Sequence, residues 1–115
     1  MQEILTQLNR VRGVGGSLLV SGEGLAMASA LRDGTDEAQL SATIGSLIEH
    51  SQRLGKHLEL GATRHVHAAG DQGGVLLLAA GNGYLVVLID PAANLALLQL
   101  ETKPFLERIA QRLAL

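Results

Sequence analysis

The sequence predicts an α/β (α+β) fold in which a five-stranded, mostly antiparallel sheet is covered by helices on both faces. The first observation behind this is the run Val75 to Asp90, VLLLAAGNGYLVVLID, two apolar segments split by Gly81-Asn82-Gly83. Val, Ile and Tyr suit a pleated strand, and Asn-Gly tolerates the positive φ angles of a two-residue type I′ hairpin turn. Secondly, neither segment alternates apolar with polar residues, so both faces of this hairpin must be covered. Thirdly, helical and extended periodicities succeed one another in the order α-β-β-α-β-β-β-α, with strand connections that are short or carry a helix.

Each element has its own justification. Gln2 to Arg12 sets Ile4, Leu5, Leu8 and Val11 on one face of a helix. Gly13-Val14-Gly15-Gly16 stops it, and Ser17 to Ser21 is a short buried strand. Gly22-Glu23-Gly24 turns the chain into a second strand, Leu25 to Leu31, where Leu25, Met27, Ser29 and Leu31 share one face. Ala26, Ala28 and Ala30 share the other, and such small residues allow a helix to come close. Asp36 with Gln39 three residues on resembles a capping box, opening a second helix that runs to about Leu58.

That helix has a stripe of Leu40, Ile44, Leu47, Ile48, Ser51, Leu54 and Leu58 to lay on the sheet. Its opposite side carries Ala38, Ala42 and Gly45, then Glu49, Arg53 and Lys56. A glycine inside a helix costs about 1 kcal/mol relative to alanine, which makes sense where another backbone comes close. A twin helix packed antiparallel would place Ala38, Ala42 and Gly45 near the crossing and let Glu49 meet the twin's Arg53 or Lys56. Thr63 to Ala69 is polar enough for a sheet edge, carrying Arg64, His65 and His67. Asp71-Gln72-Gly73-Gly74 leads into the central hairpin, and Asn94 caps a last helix, Leu95 to Leu115. Leu95, Leu98, Phe105, Ile109 and Leu113 form its buried side, and Pro104 should kink or restart it near Lys103.

Composition narrows the function. A length of 115 residues implies one domain, 1–115. Apolar residues make up 47% and charged residues only 17%, low against the roughly 25% of an average soluble protein, so apolar surface has to be hidden by association. A net charge of −2 without a Lys/Arg run gives no footprint for nucleic acid. The absence of cysteine removes disulfides, thiol nucleophiles and cysteine-based zinc sites. The N-terminal MQEILTQLNR lacks the basic start and apolar core of a signal peptide, and Val75 to Ile89 is too short to span a bilayer, so a cytoplasmic protein without membrane insertion is expected.

The element order and two segments carry a resemblance. The helix and strand order, with GVGGSLLVSGEGLAMAS near the start and DPAANLALLQLE near the end, resembles the roadblock family, which is related to dynein light chains and bacterial regulators of Ras-like GTPases. The chain departs from that family's usual pattern at Ala96, where glycine is common, and at Ser21 and Gly22, where an acidic residue often begins the turn. The resemblance implies a roadblock/profilin-like fold and a homodimer in which third strands pair edge to edge and second helices pack together. It also implies a non-enzymatic scaffold that binds and regulates a small Ras-like GTPase without an arginine finger. The alternative is a structural adaptor subunit of a motor or signalling complex that leaves GTP hydrolysis unchanged.

The residues offer little else. GVGGS follows a helix and precedes a strand, the reverse of the order that aims helix N–H groups at phosphate, and no Gly-Lys-Ser/Thr is present. The serines have no readable base and orienter, so no catalytic residue and no cofactor are expected. His65 and His67 share a strand face as in some metal sites, yet spacing identifies no third ligand. Glu59, Asp71 or a symmetry-related histidine stay open as that ligand, and the plainer reading is an interface. His50 and His57 are two helical turns apart, about 10 Å, too far to share an ion. The expected dimer interface is Ala38, Ala42, Gly45, Glu49, Arg64, His65, Val66 and His67. The expected partner-binding residues are Glu49, His50, Arg53, Lys56 and His57.

Overall fold

The computed structural model describes residues 1–114. Its elements are α1 (Gln2–Leu8), β1 (Val14–Ser21), β2 (Ala26–Ala30), α2 (Glu37–His57), β3 (His65–Gly70), β4 (Gly73–Ala80), β5 (Gly83–Ile89) and α3 (Leu95–Ala114). The strands form one sheet in the order β2-β1-β5-β4-β3, and every neighbouring pair is antiparallel. The expected order and architecture are therefore present. Leu115, where the sequence ends the last helix, lies outside the described residues.

The central hairpin is covered twice because successive side chains point to opposite faces. Leu76, Leu85 and Val87 join Ile4, Leu5 and Leu8 of α1 and Leu98 and Ile109 of α3 in one core. Leu77, Tyr84 and Val86 join Ile44 and Ile48 of α2 in the other. Fully burying each such side chain contributes about 1.5–3 kcal/mol, so both cores stabilise the same two strands. Ala28 and Ala30 pack against the α1/α3 core, and the Asn9 side-chain amide after α1 donates to the Ala30 carbonyl at 2.8 Å. The small-residue face of β2 thus receives a helix, as expected.

Four local expectations change. Ala80 pairs with Gly83, so the hairpin loop is Gly81-Asn82, and only Gly81 has positive φ (+59°). That is the pattern of a II′ turn, with glycine at its first position, in place of I′. Helix α1 ends at Leu8 because the next bonds tighten, Arg10 N–H to the Gln7 carbonyl and Val11 N–H to that of Leu8. Strand β1 starts earlier than Ser17 and takes in Gly15, where a Cβ would stand 2.7 Å from Asp90 Oδ1. Helix α3 runs through Pro104 as one helix. The carbonyl that Pro104 leaves without its donor belongs to Leu100, a residue 69% exposed.

Candidate functional site

Helix α2 and the edge strand β3 form the surface of interest. Asp36 starts α2 as expected, its carboxylate accepting the Gln39 N–H at 3.0 Å. The helix ends in a Schellman turn: Leu60 N–H donates to the Gly55 carbonyl (2.7 Å) and Glu59 N–H to that of Lys56 (3.3 Å). Glu59 occupies the left-handed position usually given to glycine, at φ +56°. The turn throws the chain back toward β3, leaving a cleft of about 410 Å³ lined by Ser51, Leu54, Leu60, Arg64, His65 and Val66, among others.

Leu54 and Leu60 line this cleft, and Leu58 follows Leu54 by one helical turn. Leu54, Leu58 and Leu60 are 56%, 60% and 68% exposed. The sequence placed Leu54 and Leu58 against the sheet, but the buried positions of α2 are Ser41, Ile44, Ile48 and Gly55. Leu40 and Leu47 pack part-buried against the α2-side core as expected, while Leu54 and Leu58, about 80–120° around the helix from Ile48, are left exposed. Three leucines within Leu54 to Leu60, beside a polar edge strand, were the signal for this surplus.

Gly45 answers a different need from the one inferred. A Cβ there would lie 3.2 Å from the Glu23 carbonyl oxygen and 3.3 Å from Gly24 Cα, so the backbone that comes close is the chain's own β1–β2 turn. Ala38, Ala42 and Glu49 share that stripe, roughly opposite the leucines. β2 and β3 are the two edges of the sheet. The alanine-glycine stripe and the Arg64–His67 segment therefore face different ends of the molecule and do not form one surface. The stripe beside β3 is the leucine stripe.

The other site residues are placed as follows. Glu49, His50, Arg53, Lys56 and His57 are all exposed. They occupy an arc of about 120° on α2. Glu49 accepts from Arg53 of its own helix at 3.2 Å. Both side chains are more than half exposed, so the pair contributes well under 1 kcal/mol, about 0.3–0.5 for such a spacing. On β3, Val66 packs with the α2-side core, while His65 and His67 stand opposite Leu78 and Leu76 on the other face. Among the described residues no group of three or more His, Asp or Glu of one chain is arranged to hold a metal ion, and no helix is long and apolar enough to cross a membrane.

A sheet with a free edge, flanked by exposed leucines and a helix carrying a charged arc, defines a protein-interaction module. A family model for the Roadblock/LC7 domain matches residues 1–89. The chain belongs to the Roadblock/LC7 domain family. It is 30% identical to an uncharacterized protein of Methanocaldococcus jannaschii over 95% of this chain and 96% of that one. The Roadblock/LC7 domain from Streptomyces avermitilis superposes with a TM-score of 0.90 at 21% identity, covering 100% of this chain and 98% of that chain. Myxococcus xanthus MglB gives a TM-score of 0.91 at 17% identity, with 98% and 94% covered. These structural likenesses extend the shared fold through α3, beyond the residues that the family model matches.

Proposed function

We propose that this chain is a cytoplasmic, homodimeric, non-enzymatic scaffold that binds and regulates a small Ras-like GTPase. The observation that carries the reading is the outer edge of β3 lying beside Leu54 and Leu60, large apolar side chains more than half exposed, with Leu58 exposed one helical turn beyond Leu54. A second copy pairing antiparallel with that edge continues the sheet and covers the leucines, and each leucine so buried contributes up to about 1.5–3 kcal/mol. Family membership supports the GTPase as the further partner. The charged arc of α2 remains open beside the seam and supplies Glu49, His50, Arg53, Lys56 and His57 as the contact residues.

Light scattering tests the first half. The protein is expected to be a dimer at micromolar concentration and Leu54→Glu a folded monomer; a monomeric wild type refutes the seam. Titration of a GTP-loaded Ras-like GTPase encoded in the same genome tests the second half. Arg53→Glu should weaken binding at least about tenfold, the loss of roughly 1.4 kcal/mol that a reversed charge at a docked surface readily causes. Unchanged binding and unchanged GTP hydrolysis would remove this arc from the partner surface. A wild type that binds such GTPases without altering hydrolysis would leave the adaptor role.

A further inference from the structure

We propose that two copies of this chain build a divalent transition-metal site across their paired β3 edges, with His65 and His67 of each copy as the ligands. The proposal rests on the edge-to-edge dimer described above. Its argument begins with hydrogen-bond parity. The Ala79 N–H donates to the Arg64 carbonyl at 2.8 Å, and the register sets Val66 opposite Leu77 and His65 opposite Leu78. In an antiparallel ladder, bonded and non-bonded pairs alternate, so Arg64, Val66 and Ala68 spend their backbone groups on β4. The backbone N–H and C=O groups of His65, His67 and Ala69 therefore point outward, toward a second copy.

Only these residues can bond across the new edge, and residues directly opposite in an antiparallel pair project to the same face. Any two-fold pairing thus puts the histidines of both copies on one face. A register centred on Val66 sets His65 opposite the partner's His67 and His67 opposite the partner's His65. The four Cα atoms then mark a rectangle of about 5.5 Å across the pair and about 6.8 Å along the strands. Both histidines of each chain are exposed, so their rings are free to turn toward the centre. Neutral imidazoles in fours suit Zn²⁺, Ni²⁺ or Cu²⁺, with metal–nitrogen distances of about 2.0–2.1 Å for zinc.

One chain supplies two of these ligands, so the other two have to come from the second copy. The site also lies on the Leu76 and Leu78 face of the sheet, away from α2, so an ion there does not occupy the proposed GTPase surface. Binding to the paired state alone would stabilise the dimer by mass action.

The test uses chelator-treated full-length protein titrated with ZnCl₂ in a calorimeter, with light scattering in EDTA and in zinc. One ion per two chains is expected, with affinity falling by more than about a hundredfold in His65→Ala or His67→Ala, beyond what loss of an outer-shell partner causes. His50→Ala/His57→Ala should bind as the wild type does, and circular dichroism checks that each variant is folded. Cobalt substitution should give the visible spectrum of a nitrogen-ligated ion. Tighter dimerisation in zinc than in EDTA supports the site. A dimer in EDTA that takes up no zinc overturns the site and leaves the dimer standing. A chain monomeric under both conditions overturns both, while one ion per chain, or uptake indifferent to His65 and His67, overturns the shared shell.

Discussion

Replacing Gly24 by alanine should destabilise the protein by about 2–5 kcal/mol, the sum of a backbone term and a packing term. Gly24 sits at φ +87°, and an L-residue held in that region loses about 1–2 kcal/mol. Its added Cβ would lie 2.6 Å from Gly45 Cα, closer than real Cβ contacts come, and a tight 3.1 Å from Gly45 N. Both neighbours are helix backbone and cannot rotate away as a side chain would, so the overpacking adds about 1–3 kcal/mol. Against a net stability of about 5–15 kcal/mol this is a large fraction. Urea unfolding at several protein concentrations measures it. With a slope near 2 kcal/mol/M, the midpoint should fall by at least about 1 M at constant slope. Gly45→Ala should cost less, because its Cβ meets the turn at 3.2–3.3 Å and gains about 1 kcal/mol of helix propensity. A Gly24→Ala loss below about 0.5 kcal/mol, the range of ordinary surface substitutions, would show that the turn does not press on α2. So would a Gly45→Ala variant that dissociates the dimer, since that would return this glycine to an intermolecular seam.

Three further outcomes follow from single contacts. Glu59→Gly should raise stability by about 1 kcal/mol, or roughly 4 °C in melting temperature, by relieving the left-handed residue that ends α2; no rise would mean that the Schellman turn carries no strain. Ser17 is fully buried and its hydroxyl donates to Asn9 Oδ1 at 2.8 Å. Ser17→Ala should therefore lower stability by about 1–3 kcal/mol in the same urea assay, the cost of a buried acceptor left unpaired. Arg32→Ala removes a 3.0 Å ion pair to Asp90 whose side chains are 71% and 40% exposed, and should change stability by less than about 1 kcal/mol at physiological salt.

What could be read from the sequence was what local chemistry controls. The Asp36 and Asn94 caps are bonded as expected, to the Gln39 and Leu97 N–H groups. The uninterrupted apolar runs of β4 and β5 announced two covered faces, and the buried side of α3 followed from its period. The turn was legible within Gly81-Asn82-Gly83, but its loop is Gly81-Asn82 and not the expected Asn82-Gly83, because either glycine of Gly-Asn-Gly satisfies one primed turn and the register alone chooses between them. The end of α1 went unread because it depends on Asn9 meeting Ala30 and Ser17, partners distant in the chain.

The site shows the same division more sharply. By itself the sequence determined the element order, the edge character of β3, and the polar residues that α2 presents to water, since each follows from period and composition within one segment. Only the tertiary structure decided what Gly45 is for and which side of α2 borders the free edge. Both answers depend on where the β1–β2 turn and the outer strand come to rest against the helix. A helical wheel gives the angles between residues but not the direction from which a neighbour arrives. That direction, set by the order β2-β1-β5-β4-β3, puts Leu54 beside the outer strand and Gly45 beside the β1–β2 turn.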